Sequence, residues 1–130
     1  MVIVGANGSG KTRLGTWIEF ESEHKERVRR ISAQKSLAMP PSATSIAVDR
    51  ALTDLLYGYA EVPSDLSNQL HYRRTQRWGQ NPNIFPLNDF GQLLTYLFSD
   101  ANETNARYVE EVRRDSERRI EPPETKLAAT

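Results

Sequence analysis

Eight residues near the start, Gly5-Ala6-Asn7-Gly8-Ser9-Gly10-Lys11-Thr12, constrain this chain more than any others. They complete the pattern G-x-x-x-x-G-K-[ST], a phosphate-binding loop. Such a loop requires a strand before it and a helix after it. Met1-Val2-Ile3-Val4 is apolar, largely β-branched and ends at a glycine, which predicts a short strand buried on both faces of a parallel sheet. Arg13-Leu14-Gly15-Thr16-Trp17-Ile18 then predict the opening of a helix. Its Leu14, Trp17 and Ile18 fall at i, i+3 and i+4 and predict one apolar face. The helix is expected to end between Phe20 and Glu23, where the sequence turns polar.

The loop has a defined chemistry. Glycines allow the backbone to curl tightly and approach a ligand closely. The N–H groups of about Gly8 to Thr12 would then converge as an anion nest, reinforced by the positive end of the following helix. Gly5, Asn7, Gly8, Ser9, Gly10, Lys11, Thr12 and Arg13 are the expected nucleotide-binding residues. Lys11 would reach the β- and γ-phosphates, and the Thr12 hydroxyl would ligate Mg²⁺. Arg13 would touch a phosphate or the base, or be solvated in the first turn. The expected ligands are therefore ATP and Mg²⁺.

Beyond the first helix the chain is dense in charge from Glu23 to Arg30. Val28 to Ala33 has a weak alternation that predicts a second strand. Met39-Pro40-Pro41-Ser42 breaks regular structure. Val48, Ala51, Leu52, Leu55, Leu56 and Tyr59 predict a helix from about Ser45 to Tyr59. From Glu61 to Pro86 there is little periodicity, which predicts a long functional or mobile loop. Phe90, Leu93, Leu94, Leu97 and Phe98 predict a helix from about Asn88 to Ser99, with Asn88 as its N-cap and Asp89 in its first turn. A last helix is expected from about Asn102 to Arg119, with a thin apolar stripe and Arg107–Glu111, Glu110–Arg114 and Asp115–Arg119 spaced to pair.

Composition narrows the class. The chain has 130 residues, with 17 basic and 17 acidic side chains, so bulk charge does not mark a nucleic-acid binder. The absence of cysteine excludes disulfides, zinc-thiolate sites and thiol catalysis. No apolar run approaches the roughly 18–20 residues that span a bilayer, and no basic segment precedes the N-terminal apolar stretch as in a signal peptide. The expected location is the cytoplasm, without a membrane partner.

The core Asn7-Gly8-Ser9-Gly10-Lys11-Thr12 resembles the loop of ABC-type ATPases, including the SMC/Rad50-like and overcoming-lysogenization-defect-like branches. The longer stretch Gly5 to Phe20, with Arg30-Ile31-Ser32-Ala33-Gln34-Lys35-Ser36-Leu37, is similar to bacterial AAA/ABC-type ATPases found near DNA-processing and phage-defence genes. That resemblance implies an α/β fold: a partial P-loop NTPase fold built on the Walker A strand–loop–helix over residues 1–41, and an appended, mostly helical region over residues 42–130. It implies ATP binding within an ABC/SMC-like ATPase, DNA as a partner, and a homodimer, higher oligomer or partner protein.

Other parts implied by the resemblance are missing. An apolar strand ending in Asp-Glu, an L-S-G-G-Q-like signature and a switch histidine are not found. Leu93-Leu94-Thr95-Tyr96-Leu97-Phe98-Ser99-Asp100 is the nearest mimic of the first, and its spacing fits a helix better. Gln34 stands where a Q-loop glutamine would, but closer to Lys11 than that role requires. The chain is therefore expected to be the N-terminal piece of a longer ATPase, with no catalytic residue of its own. The alternatives are a P-loop small-molecule kinase, with Arg73, Arg74 and Arg77 as lid arginines, and a non-catalytic interaction module that holds a nucleotide. A GTPase is disfavoured because no N-K-x-D motif is present.

Two basic clusters stand outside the loop: Lys25, Arg27, Arg29 and Arg30, and Arg73, Arg74 and Arg77 beside Tyr72 and Trp78. The second interleaves arginines with aromatics as a nucleic-acid stacking surface would. The stronger expectation is a loop whose Trp78 packs back onto the helices. Arg113, Arg114, Arg118 and Arg119 read as a solvated helix face, and His24 and His71 lack partners at metal-ligand spacing.

Overall fold

The computed structural model describes residues 4–31, 40–61, 63–79, 81–114 and 120–129. Among these residues the chain is helical and contains no strand, which overturns the α/β expectation. Three residues of the first expected strand, Met1 to Ile3, lie outside the described residues, as do Ser32 and Ala33 of the second. Val4 has irregular backbone and is 87% exposed rather than buried. Residues 28–31 are also irregular. The physical reason is the lack of neighbours. One or two short strands cannot satisfy their own N–H and C=O groups, and a sheet that small has no stability of its own.

Among the described residues four α-helices carry the fold: α1 (Lys11–Phe20), α2 (Val48–Tyr57), α3 (Leu66–Tyr72) and α4 (Phe90–Arg114). α1 starts where the motif requires, immediately after Gly10. Its buried face, however, is Thr16, Glu19 and Phe20, whereas Leu14 and Trp17 are 39% and 55% exposed. Of the expected apolar face, Leu14 and Trp17 therefore point outward and Ile18 is half-buried. Glu19 is drawn inward because Arg30 and Arg73 converge on it from other parts of the chain.

α2 ends at Gly58, whose φ of 76° lies in the left-handed region and whose N–H bonds to the Asp54 carbonyl at 2.7 Å. A Cβ at Gly58 would lie 2.6 Å from the Arg77 backbone nitrogen. Both the φ and the close backbone approach therefore call for glycine. Gly58→Ala is expected to lower stability by roughly 1–3 kcal/mol from the strained φ alone, with the backbone clash adding to that. Urea unfolding with an unchanged slope and a lower midpoint would register it.

α3 is a helix where a loop was expected. Asp65 caps it, with its carboxylate accepting from the Asn68 N–H at 3.0 Å and the Asn68 side-chain amide at 2.7 Å. It runs on as a π-helical turn, Arg73–Arg77, and Trp78 follows directly. Trp78, Phe20 and Leu87 form the apolar core with Leu70 packed against them.

α4 replaces the two helices expected on either side of Ser99 to Asn102. It is 25 residues long, about 37 Å at the standard rise. The Asp89 carbonyl accepts its first hydrogen bond, from Leu93 N–H at 2.9 Å, so the cap is Asp89 and not Asn88. α4 packs against α2; the small residues Ser99 and Ala101 are its buried positions, and Ala51 is the buried one on α2. The Ser99 hydroxyl accepts from the Ile46 N–H at 3.0 Å and ties the approach to α2 onto α4. Arg107 pairs back to Glu103 at 2.9 Å rather than forward to Glu111. Lys126 clamps the C-terminal segment to α4 through Asp100 and Tyr96, both at 2.6 Å.

Candidate phosphate-binding loop

The loop is held by its own lysine. Lys11 Nζ donates to the Gly5 carbonyl at 2.6 Å, the Ala6 carbonyl at 2.7 Å and Ser9 Oγ at 3.3 Å. An ammonium has three N–H donors, so all three are engaged by the segment that precedes it. The Ser9 N–H closes the turn on the Ala6 carbonyl at 3.2 Å. Gly8 and Gly10 adopt φ of 81° and 84°, values that only glycine takes at no steric cost. Gly5 serves a different need: a Cβ there would sit 2.6 Å from the Ser9 hydroxyl.

Asn7, Gly8, Ser9, Gly10, Lys11, Thr12 and Arg13 line one open cleft of about 320 Å³. Seven of the eight expected residues are thus brought together, and Gly5 stands behind them as an acceptor for Lys11. The first helical hydrogen bond in α1 is from Leu14 N–H to the Gly10 carbonyl at 2.9 Å. The N–H groups of Lys11, Thr12 and Arg13 therefore belong to the unpaired first turn of a helix. Thr12 is among the lining residues, and its carbonyl accepts from Thr16 Oγ1 at 3.0 Å.

The electrostatics of α1 are unusual for a helix. Its first turn contains no acid but carries Lys11 and Arg13, and its last turn contains no base but carries Glu19. Each charge of that sign at a helix end opposes the macrodipole by about 0.3–1 kcal/mol. At the far end the ion pairs of Glu19 offset the cost. At the cleft end the loop oxygens already hold Lys11, and an anion in front of the first turn would offset the cost further.

The second basic cluster is partly core: Arg74 is exposed, whereas its neighbours turn inward. Arg73 and Trp78 are fully buried. Arg73 donates to the Val28 carbonyl at 2.8 Å and lies 3.8 Å from Glu19. Burial first, and the nearby Arg29 charge second, push the Arg73 guanidinium down to about 10, with Glu19 acting the other way. Arg77 pairs with Asp89 at 3.1 Å, Arg74 with Glu21 at 3.3 Å, and Tyr72 stacks on Tyr59 at 5.1 Å. From the first cluster, Arg30 binds Glu19 at 3.3 Å and lies 4.1 Å above the Trp78 ring. The residues that sequence reasoning missed are therefore Glu19, Arg30 and Arg73 as one buried group. The one sequence signal for it was Glu19 standing between Thr16 and Phe20 on a single helix face.

The mimic Leu93 to Asp100 is helical, within α4. Gln34 lies outside the described residues. Among the described residues no group of His, Cys, Asp or Glu could hold a metal ion by itself, and no helix is long and apolar enough to cross a membrane. Comparison with family models, with curated proteins and with solved structures finds no match to this chain.

Proposed function

We propose that this chain binds the phosphate groups of ATP, with Mg²⁺, in the cleft lined by Asn7 to Arg13. The observation that carries the proposal is the pairing of two cations, Lys11 and Arg13, with the unpaired first turn of α1 in a cleft whose lining holds no carboxylate. Backbone N–H groups from Gly8 to Thr12 would receive the phosphate oxygens. Lys11 exchanges an acceptor of its own loop for a phosphate oxygen. The Thr12 hydroxyl suits Mg²⁺, an ion that usually takes one or two protein oxygens and completes its shell with phosphates and water. Mg²⁺ would supply charge neutralisation between adjacent phosphates.

The same lining bears on catalysis. With no carboxylate at the cleft, binding is what these residues supply, and cleavage draws on groups from outside it. Two uses of the nucleotide fit that property. One is the ABC/SMC-like ATPase reading, in which the loop is one half of a composite site. The other is a nucleotide held as a structural ligand by an interaction module. The DNA association of the first reading rests on the loop's resemblance alone, since the arginines of residues 73–77 are committed to the core and to ion pairs.

Ligand that binds only the folded chain stabilises it by about 2.7 kcal/mol at a hundred times its Kd. ATP·Mg²⁺ is therefore expected to raise the thermal midpoint on the order of 5–10 °C at such an excess. Lys11→Ala should remove most of that rise. A wild-type midpoint that ignores ATP·Mg²⁺ would sink the proposal, and hydrolysis by the chain alone would sink its non-catalytic part.

A further inference from the structure

The cleft accounts for phosphates but leaves the rest of the nucleotide unplaced. The solvent face of α1 beside the cleft carries Arg13, Leu14 and Trp17. Positions 13 and 17 are four apart and 14 and 17 three apart, so the three side chains adjoin on one helix face. Of the buried residues of α1, Glu19 lies across the helix from them, and Thr16 and Phe20 flank their face. Arg13 belongs both to this face and to the cleft lining. Trp17 is 55% exposed and Leu14 39%. Helical side chains lean toward the N-terminus and cover the turn before their own Cα. That lean would carry the indole of Trp17 over the Arg13–Leu14 turn, on the loop side of its own Cα. A rise of about 1.5 Å per residue puts the Trp17 Cα roughly 6 Å along the axis from Arg13.

We infer that Arg13, Leu14 and Trp17 form the base shelf of the nucleotide site, with Trp17 stacking on the purine ring. This rests on the phosphate reading of the loop. An indole and a guanidinium are the two planar side-chain surfaces on which bases stack. Three side chains match a single base and fall far short of the roughly 1,000 Å² that a specific protein interface buries. Recognition by stacking does not read base edges. ATP and GTP are thus held about equally, and pyrimidine nucleotides, with smaller rings, less tightly.

The test compares ATP with ribose 5-triphosphate, which keeps the sugar and phosphates but has no base. Affinities of both, with Mg²⁺, are measured for the wild-type chain, Trp17→Ala and Trp17→Phe. The wild type should prefer ATP roughly 5- to 150-fold, the span of base–aromatic stacking. Trp17→Ala should bring ATP down to the ribose triphosphate level while leaving the latter unchanged, and Trp17→Phe should keep most of the preference. ATP should also quench the emission of Trp17, the exposed one of the two tryptophans. An unchanged preference in Trp17→Ala, or an equal loss for both ligands, overturns the shelf and leaves the phosphate loop standing. Failure of both ligands to bind the wild type overturns the loop reading and the shelf together.

Discussion

Glu19→Ala is expected to cost about 3–5 kcal/mol, the penalty for stripping one partner from a buried ion pair. Glu19 is fully buried, with Oε2 accepting from Arg30 Nε at 3.3 Å. Its other oxygen lies 3.8 Å from Arg73 Nη1, beyond hydrogen-bond reach, and has no hydrogen-bond partner. The contact with Arg73 is therefore Coulombic. Without Glu19, Arg73 keeps the Val28 carbonyl and the distant Phe20 and Tyr57 ring faces, but no counter-charge, to offset a desolvated positive charge. Glu19→Gln keeps the size and an acceptor for Arg30 but not the charge, and should fall between the wild type and Glu19→Ala. Replacing both charges, Glu19→Leu with Arg73→Met, should recover much of the loss, because apolar pairs often match or exceed the buried ions they replace. Urea unfolding followed by circular dichroism reads all three. A Glu19→Ala midpoint within about 1 kcal/mol of the wild type would mean that Arg73 is solvated.

Trp78→Ala is expected to cost a similar amount, about 3–5 kcal/mol. Trp78 is the largest fully buried side chain and the centre of the core with Phe20 and Leu87. It also seats Arg30, 4.1 Å above its ring, and Arg77, 5.8 Å away. Its removal would leave a cavity and deprive both guanidiniums of a π face. Trp78→Phe should lose far less, since a ring remains and the indole N–H, which has no hydrogen-bond partner, is gone. The comparison bears on function as well as stability. A near-neutral Trp78→Ala would return residues 72–78 to the surface and reopen their use as a stacking platform for nucleic acid. A severe one confirms that these arginines and aromatics hold the fold.

The sequence was most readable where apolar spacing and burial coincide. α2 follows the i, i+3, i+4 pattern through Ala51, Leu55 and Leu56, and α4 follows it through Leu97. The two expected helices around Ser99 to Asn102 proved to be one, because Ser99 and Ala101 are buried through small size and a hydroxyl contact rather than through hydrophobicity. α3 was hidden for a related reason. Its continuation is buried through Arg73 beside Leu70 and Trp78, and a hydropathy pattern counts arginine as solvent-facing. The same chemistry reversed α1, where Glu19 turned inward and Leu14 and Trp17 outward. The sheet was misread differently. It was inferred from what usually surrounds a phosphate loop, and two short β-branched runs without neighbours could not supply it. The loop is a local object: the positive φ of Gly8 and Gly10, the lysine contacts and the helix that follows are arranged within residues 5–14.

Nucleotide binding at that loop is tested most directly by following the backbone amide signals of the ¹⁵N-labelled chain as ATP·Mg²⁺ is added. Gly8, Gly10, Lys11, Thr12 and Arg13 supply the N–H groups proposed to face the phosphates, and their signals should shift together and saturably. Those of Thr104 and Glu111 on the distant half of α4 should stay in place. In Lys11→Ala the loop shifts should be lost or require far more ligand. Loop signals that remain still at millimolar ATP·Mg²⁺, or shifts centred elsewhere in the chain, would contradict a phosphate site between Asn7 and Arg13.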